Sequence, residues 1–300
     1  MENLKRIYRR LRKIYYAYIK AWFVYRETDK WHILDNWETL EYLSSHRCSM
    51  ARYGDGEFGI MGGVGNGFQI ADNELSNRLF KVLGSNDAPN FMIGVPYPLK
   101  YFKDLRNGRF FWPEYTSRHI KQLRKYINPK KIYLNTQVTR FYFERADKSL
   151  CEEHFQKLKN LWNDKDIVVV EGTMTRSGVG NDLYDNAKSV RRILGYSENA
   201  FYHYDEMLDT IVKNVSKEQL ILLCYGMTAT VLAYDLAKLG YWAMDIGHLD
   251  IEYEWMKMGA TDRALIKGKH VNELKEVGGS DVGSCEDPVY QNQIIADITK

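Results

Sequence analysis

Apolar positions along the chain follow two periods. Short unbroken runs such as Asp166-Ile-Val-Val-Val170, Gln219–Tyr225, Tyr241–Ile246 and Asn90–Val95 have the pattern of strands buried on both faces. Met50–Tyr53 and Lys131–Asn135 read as shorter strands, and Pro96 and Pro98 stop the Asn90–Val95 run. Between these runs the apolar residues recur at helical spacing. Leu75, Leu79, Phe80 and Leu83 share one side of a helix predicted over Asp72–Leu83. Further helices are predicted at Ser117–Tyr126, Leu150–Asn163, Asn181–Leu194 and Thr228–Leu239, the last closed by Gly240, with Trp31–Leu43 a helix or turn. Such alternation implies an α/β fold with a mostly parallel, Rossmann-like sheet and helices on both faces. After Gly268 the pattern fades, and Gly278–Asp287 reads as a flexible loop.

The first residues differ from the rest. Leu4, Ile7, Tyr8, Leu11, Ile14, Tyr15, Tyr18, Ile19 and Phe23 recur at helical spacing, with cations between them. Residues 1–26 hold eight Lys and Arg against Glu2 alone, a net +7, so the remainder is −4 within a total of +3. We expect residues 1–30 to form a basic amphipathic helix and 31–300 a single α/β domain. The helix suits an anionic membrane surface through residues 1–26; a terminal helix docked on the domain or on a partner is the other reading. No run approaches the roughly 20 apolar residues that cross a bilayer, and no signal peptide is evident. The expected location is cytoplasmic, peripheral at the inner face of the cell membrane. Nucleic acid is excluded as a partner because no basic stripe continues into the domain. Cys48, Cys151, Cys224 and Cys285 are scattered without a CxxC pair, as in a reduced cytosolic protein. The 22 tyrosines suit sugar or nucleobase stacking as well as ordinary packing.

Ligands of open α/β sheets bind beyond the carboxyl ends of the strands, and four loops fall there. In Ala51-Arg52-Tyr-Gly54-Asp55-Gly-Glu57, two carboxylates flank one glycine. They are hard oxygen donors suited to Mg²⁺ or Mn²⁺, although Gly-Asp-Gly is also common turn chemistry. Glu171-Gly-Thr-Met-Thr-Arg176-Ser-Gly178-Val-Gly180-Asn181-Asp182 reads as a strand, a loop and a helix start. That is a diphosphate cradle, with Arg176 as a bidentate phosphate donor, or a tight turn capped by Asn181 or Asp182. Tyr225-Gly226-Met227-Thr228 lines a nucleotide or sugar pocket, or is a glycine turn with a threonine cap. Asp245-Ile-Gly-His248-Leu-Asp250-Ile-Glu252-Tyr-Glu254 offers a general base or a second metal ligand, with Glu252 and Glu254 as solvated helix positions.

Together and in this order, the four loops resemble bacterial glycosyltransferases of the GT-D fold, first catalogued as a domain of unknown function. The matching stretches run from about residue 48 to 256: Arg52-Tyr-Gly-Asp55-Gly-Glu57, Glu171 to Leu183, Ala229-Thr-Val-Leu-Ala-Tyr-Asp-Leu, and Asp245 to Trp255. The resemblance implies a GT-D-type fold and an Asp-x-Glu motif for metal-dependent transfer from a nucleotide sugar, typically UDP-glucose. That role maps onto Asp55 and Glu57. One departure is Gly226-Met227, where a Gly-Pro is expected; the basic helix lies outside the resemblance.

The expected enzyme is a glycosyltransferase that moves a hexose from a UDP-sugar to a glycan acceptor, lipid-linked or on a protein. Asp55 and Glu57 would hold a divalent cation (Mn²⁺ or Mg²⁺). Arg52, Gly54, Arg176, Gly178, Gly180, Asn181 and Thr228 would bind the nucleotide sugar, and Asp250 or His248 would deprotonate the acceptor. The rivals are a metal-dependent phosphohydrolase or nucleotidyl enzyme, and a non-catalytic membrane-associated scaffold.

Overall fold

The computed structural model describes residues 2–106, 108–279 and 282–300, without the side chains of residues 2–4, 108 and 109. Residues 280 and 281 of the expected Gly278–Asp287 loop, and the Leu4 side chain, lie outside the described residues.

Among the described residues, eight strands form one parallel sheet: β1 Ser49–Arg52, β2 Phe91–Val95, β3 Leu134–Asn135, β4 Asp166–Gly172, β5 Ser189–Gly195, β6 Leu220–Cys224, β7 Trp242–Asp245 and β8 Ile294–Asp297. Their order is β3-β2-β1-β7-β6-β4-β5-β8. The central strands β4 and β6 are buried almost throughout, which explains their unbroken apolar runs. One face of the sheet packs Val168, Val170, Ile221 and Leu223 against the helix Thr228–Lys238 and its neighbours. The other packs Ile167, Val169, Leu220 and Leu222 with Trp162, Phe155 and Trp255. The two apolar clusters are the two sides of an α/β sandwich.

Helices start where short polar side chains can cap them. Asp35 accepts from the N–H groups of Trp37 and Glu38, while Glu38 reaches back to the Asp35 N–H at 2.8 Å. Asp72 caps Asn73–Gly84 through the Leu75 N–H. Gly240, at φ +85°, follows Thr228–Lys238 in the left-handed conformation expected of it.

Two expectations fail. Asn181–Leu194 is not a helix: turns lead directly into β5, which pairs with β4 through seven residues. Leu183, Ala187, Val190 and Leu194 mimic a helical stripe, but the open edge of β4 needs a partner, and the ladder wins over the periodicity. The fading C-terminal pattern likewise hides β8, a four-residue edge strand whose residues are all half-buried beside β5 and whose Ile-Ile-Ala run is too short to stand out.

The basic segment is helical from Glu2 to Thr28, with wider π-type turns at Tyr15–Lys20. Ala17, Ala21, Val24 and Thr28 are its buried side, and it packs along the helix Gly108–Tyr126. Among the described residues, no helix is long and apolar enough to cross a membrane.

Candidate active site

A cavity of about 730 Å³ opens at the carboxyl ends of the strands. Its lining comes from the segments after β1 (Gly54, Asp55, Glu57), β3 (Gln137, Arg140), β5 (Tyr196, Ser197), β6 (Tyr225, Gly226, Met227) and β7 (Gly247, His248). This is where an open α/β sheet presents its ligand site.

Asp55 and Glu57 occupy the first turn of a short helix, Asp55–Met61, rather than an open loop. Glu57 turns back to accept the Gly54 N–H at 2.7 Å, leaving Asp55 exposed at the cavity. The Met227 methyl fills the space beside Gly56, 2.8 Å from where a Cβ would stand. Met227, the departure from the expected Gly-Pro, therefore packs on the acidic turn itself.

Behind this turn lies Asp245, at the end of β7. Its Oδ1 is 3.6 Å from Nη1 of Arg52, at the end of β1. Both side chains are almost fully buried, and Arg52 Nε and Nη1 lack a hydrogen-bond partner. Burial, and then the Asp245 charge, push the Glu57 carboxyl up to about 7. Burial raises Asp245 to about 6 against the pull of Arg52. Glu57, whose ionisation both burial and the Asp245 charge oppose, is a hard oxygen donor that fits a divalent cation, whose charge would offset both effects. Among the described residues no three His, Cys, Asp or Glu side chains form a ready metal cluster, so further oxygens would come from ligand and water.

Across the cavity, Glu273 accepts from His248 Nε2 at 3.1 Å and from Arg140 Nη2 at 2.9 Å. Burial works to raise the Glu273 pKa, but the His248 and Arg140 contacts outweigh it and keep the carboxylate ionised. His248 is thus an imidazole held by a carboxylate at the cavity wall.

Several expected site residues lie elsewhere. Asp250 is buried away from the cavity, where both its oxygens meet Lys269 Nζ at 2.9 and 2.8 Å. It also accepts from the Gly178 N–H and the Asn181 amide, both at 2.8 Å. A carboxylate buried outside the cavity and tied to Lys269 by both oxygens is out of reach of an acceptor hydroxyl there. Asn181 spends its amide on Asp250 and Glu254. Arg176 is buried and donates to the carbonyls of Gly268 and Val282 at 2.9 Å and to that of Gly283, so its guanidinium ties down a C-terminal loop. Because no helix starts at residue 181, the expected helix-end phosphate cradle is missing. Gly178 and Gly180 adopt φ of +75° and +78° and border a separate cavity of about 220 Å³ with Arg192 and Tyr290. Thr228 is buried within its own helix start and does not line the main cavity. Glu252 is not solvated: it is fully buried and accepts from the Tyr142 and Phe143 N–H groups.

Arg140 and Glu273 escaped the sequence reading. Arg140 had a usable signal, since it follows the predicted strand Lys131–Asn135 at its carboxyl end. Glu273 had none, because it belongs to the stretch where periodicity fades.

A parallel sheet with a cavity at its carboxyl edge, a buried cation at the end of β1 and acids beyond β1 and β7, defines an α/β protein with a ligand-sized site at its strand ends. The chain belongs to the glycosyltransferase GT-D fold family, whose sequence profile matches residues 50–274. It is 35% identical over 269 residues to "Glycosyltransferase GlyD" of Streptococcus pneumoniae serotype 4, covering 87% of this chain and 32% of that protein. It is 37% identical over 267 residues to "Probable glycosyl transferase Gly" of Streptococcus gordonii, covering 88% of this chain and 38% of that one. The chain thus spans about a third of the length of the curated relatives it matches. A solved structure described as "the highly conserved domain of unknown function 1792 has a distinct glycosyltransferase fold" superposes with a TM-score of 0.87 at 34% identity, over 92% of this chain and 99% of that one. "A new glycosyltransferase (DUF1792) from Streptococcus sanguinis" gives a TM-score of 0.83 at 34% identity, over 89% and 99%.

Proposed function

We propose that the chain transfers a hexose, glucose by the family resemblance, from a UDP-sugar to a hydroxyl of a glycan acceptor, in cell-surface polysaccharide or glycoprotein biosynthesis. The observation that carries this reading is Arg52. A guanidinium that lines the cavity beside acids, with Nε and Nη1 shielded from solvent and unpartnered, suits diphosphate oxygens. Asp55 and Glu57, with Asp245 behind them, are the residues that would hold a divalent cation. When bound, such an ion supplies Lewis-acid stabilisation of the charge that develops on the departing UDP.

The acceptor oxygen bonds to the anomeric carbon, the bond from that carbon to the diphosphate oxygen breaks, and the acceptor proton must leave. His248 takes that proton, oriented by Glu273, and Arg140 fixes Glu273 from the other side. Arg52 steadies the phosphates electrostatically. Tyr196 and Phe68 give the cavity flat apolar walls for a base or sugar ring. The four cysteines are unpaired, and three are buried, which supports a reducing, cytoplasmic setting.

The test is transfer from radiolabelled UDP-sugars with Mn²⁺ or Mg²⁺, alongside thermal-shift protection by UDP. Transfer that persists undiminished in Asp55→Ala and Glu57→Ala would sink the cation assignment. Protection by phosphate or vanadate but not by UDP would favour a phosphohydrolase.

A further inference from the structure

The helical segment Glu2–Thr28 has an unusual surface. Its underside is covered, because Ala17, Ala21 and Val24 pack against the domain. Beside that buried side, Ile7, Leu11, Ile14, Tyr18 and Trp22 recur every three or four residues as a second apolar stripe, and each is 42–60% exposed. Five large apolar side chains in one line are far from the scattered exposed hydrophobics of an ordinary surface. Docking on the domain accounts for the alanine side and leaves this stripe unexplained.

The charge around the stripe says what would cover it. Lys5, Arg6, Arg9, Arg10, Arg12 and Lys13 are all exposed, and none has an ion-pair partner among the described residues. Arg26 stacks on Trp22 with its guanidinium carbon 3.5 Å from the ring centroid, so a cation sits at the edge of the apolar stripe. An acidic protein groove would complement the charge but not a long aromatic-rich stripe bordered by cations. A bilayer with anionic headgroups complements both.

The stripe also leads to the cavity. The Tyr18 ring lies 6.2 Å from that of Phe110, and its neighbour Phe111, itself 45% exposed, lines the cavity wall. We propose that this helix, through Ile7, Leu11, Ile14, Tyr18 and Trp22 with the surrounding cations, lies in the surface of an anionic membrane and brings the cavity mouth against it. The family match covers residues 50–274, so this helix lies outside the matched segment.

The experiment is co-sedimentation of the full chain with vesicles of phosphatidylcholine alone or with roughly one-third phosphatidylglycerol. We expect binding to the anionic vesicles only. Arg9→Glu/Arg12→Glu/Lys13→Glu should weaken it about 100-fold or more, since each juxtamembrane cation contributes roughly a factor of five. Leu11→Ser/Tyr18→Ser/Trp22→Ser should weaken it at least about tenfold. The substituted side chains are exposed, so both variants should keep the wild-type melting temperature, and vesicle binding is read only on protein that does. Unchanged sedimentation of the charge-reversed variant, or equal binding to neutral vesicles, would overturn the proposal. So would absence of vesicle binding together with self-association that the serine variant abolishes, which would make the stripe an interface between two copies.

Discussion

The Lys269 ammonium and the Asp250 carboxylate sit 2.8 Å apart, and each side chain is at least 96% buried. Asp250 therefore anchors the turn at Gly178–Asn181 to the segment around Lys269, instead of serving the cavity. Removing Lys269 strands the Asp250 charge in the interior, which costs roughly 3–5 kcal/mol, whereas Lys269 without Asp250 still holds Glu254 at 2.8 Å. Lys269→Met should accordingly lower the melting temperature strongly, while Lys269→Met/Asp250→Leu recovers much of the loss. In Asp250→Asn, the folded protein should keep a kcat near wild type. A kcat collapse in Asp250→Asn with an unchanged melting temperature would restore Asp250 as the proton acceptor.

Much of the architecture was legible because buried parallel strands leave a direct trace. Val168-Val169-Val170 and Leu220–Leu223 cannot be placed anywhere but inside. The site was legible only at the level of loops. The rule that ligands sit beyond strand ends picked out the edge of the sheet where the cavity opens, and Arg52, Asp55, Glu57 and His248 line it. It could not say which side chains face inward. Arg176 and Asp250 follow strand ends too, yet their charges are consumed by carbonyls and by Lys269, partners up to 107 residues away in sequence. Polar residues that hold loops together and polar residues that hold ligands have the same composition.

Arg52 and Arg176 give a matched pair for testing that distinction. Arg52→Ala removes a guanidinium that lines the cavity, and UDP affinity by calorimetry should fall roughly 10- to 100-fold, as expected for charge-assisted hydrogen bonds. Arg176→Ala releases the carbonyls of Gly268, Val282 and Gly283, so it should lower stability while leaving the UDP affinity of the folded protein within about twofold, having removed no ligand contact. Equal losses of affinity in both would show that Arg176 reaches the nucleotide.

Acid sensitivity should trace in part to His154. It is buried, stacked on Phe141 with ring centroids 3.7 Å apart, and donates from Nε2 to the Val138 carbonyl at 2.6 Å. Burial is the main cause that lowers its pKa to about 3, against the pull of that carbonyl. The native state thus keeps His154 neutral, while the unfolded chain protonates near pH 6.5. Stability from this residue is intact above about pH 6.5 and is lost as the pH falls toward 3, at about 1.4 kcal/mol per unit. Urea midpoints measured between pH 7 and 4, on the acid side of neutrality, should fall less steeply for His154→Phe than for wild type. Parallel slopes would mean that the native state accommodates the charged imidazole.

The geometry at Gly247 leads to a prediction that separates site from scaffold. Gly247 has φ +45°, and a Cβ there would run into the Arg52 guanidinium, with its Cζ at 3.0 Å. Two constraints therefore meet at one residue: a left-handed backbone and a cation packed against it. Gly247→Ala pays the strain of that backbone, of order 1 kcal/mol, which a chain of this size tolerates. It must also displace Arg52, because the Ile246 and Gly247 N–H groups are tied to the Leu223 carbonyl and the backbone cannot give way. The expected result is a small fall in melting temperature with a loss of UDP affinity approaching that of Arg52→Ala. Adding Gly247→Ala to Arg52→Ala should then cost little further affinity, since the guanidinium it displaces is already gone. Additive losses in the double variant would show that Gly247 acts on the nucleotide by its own backbone and not through Arg52.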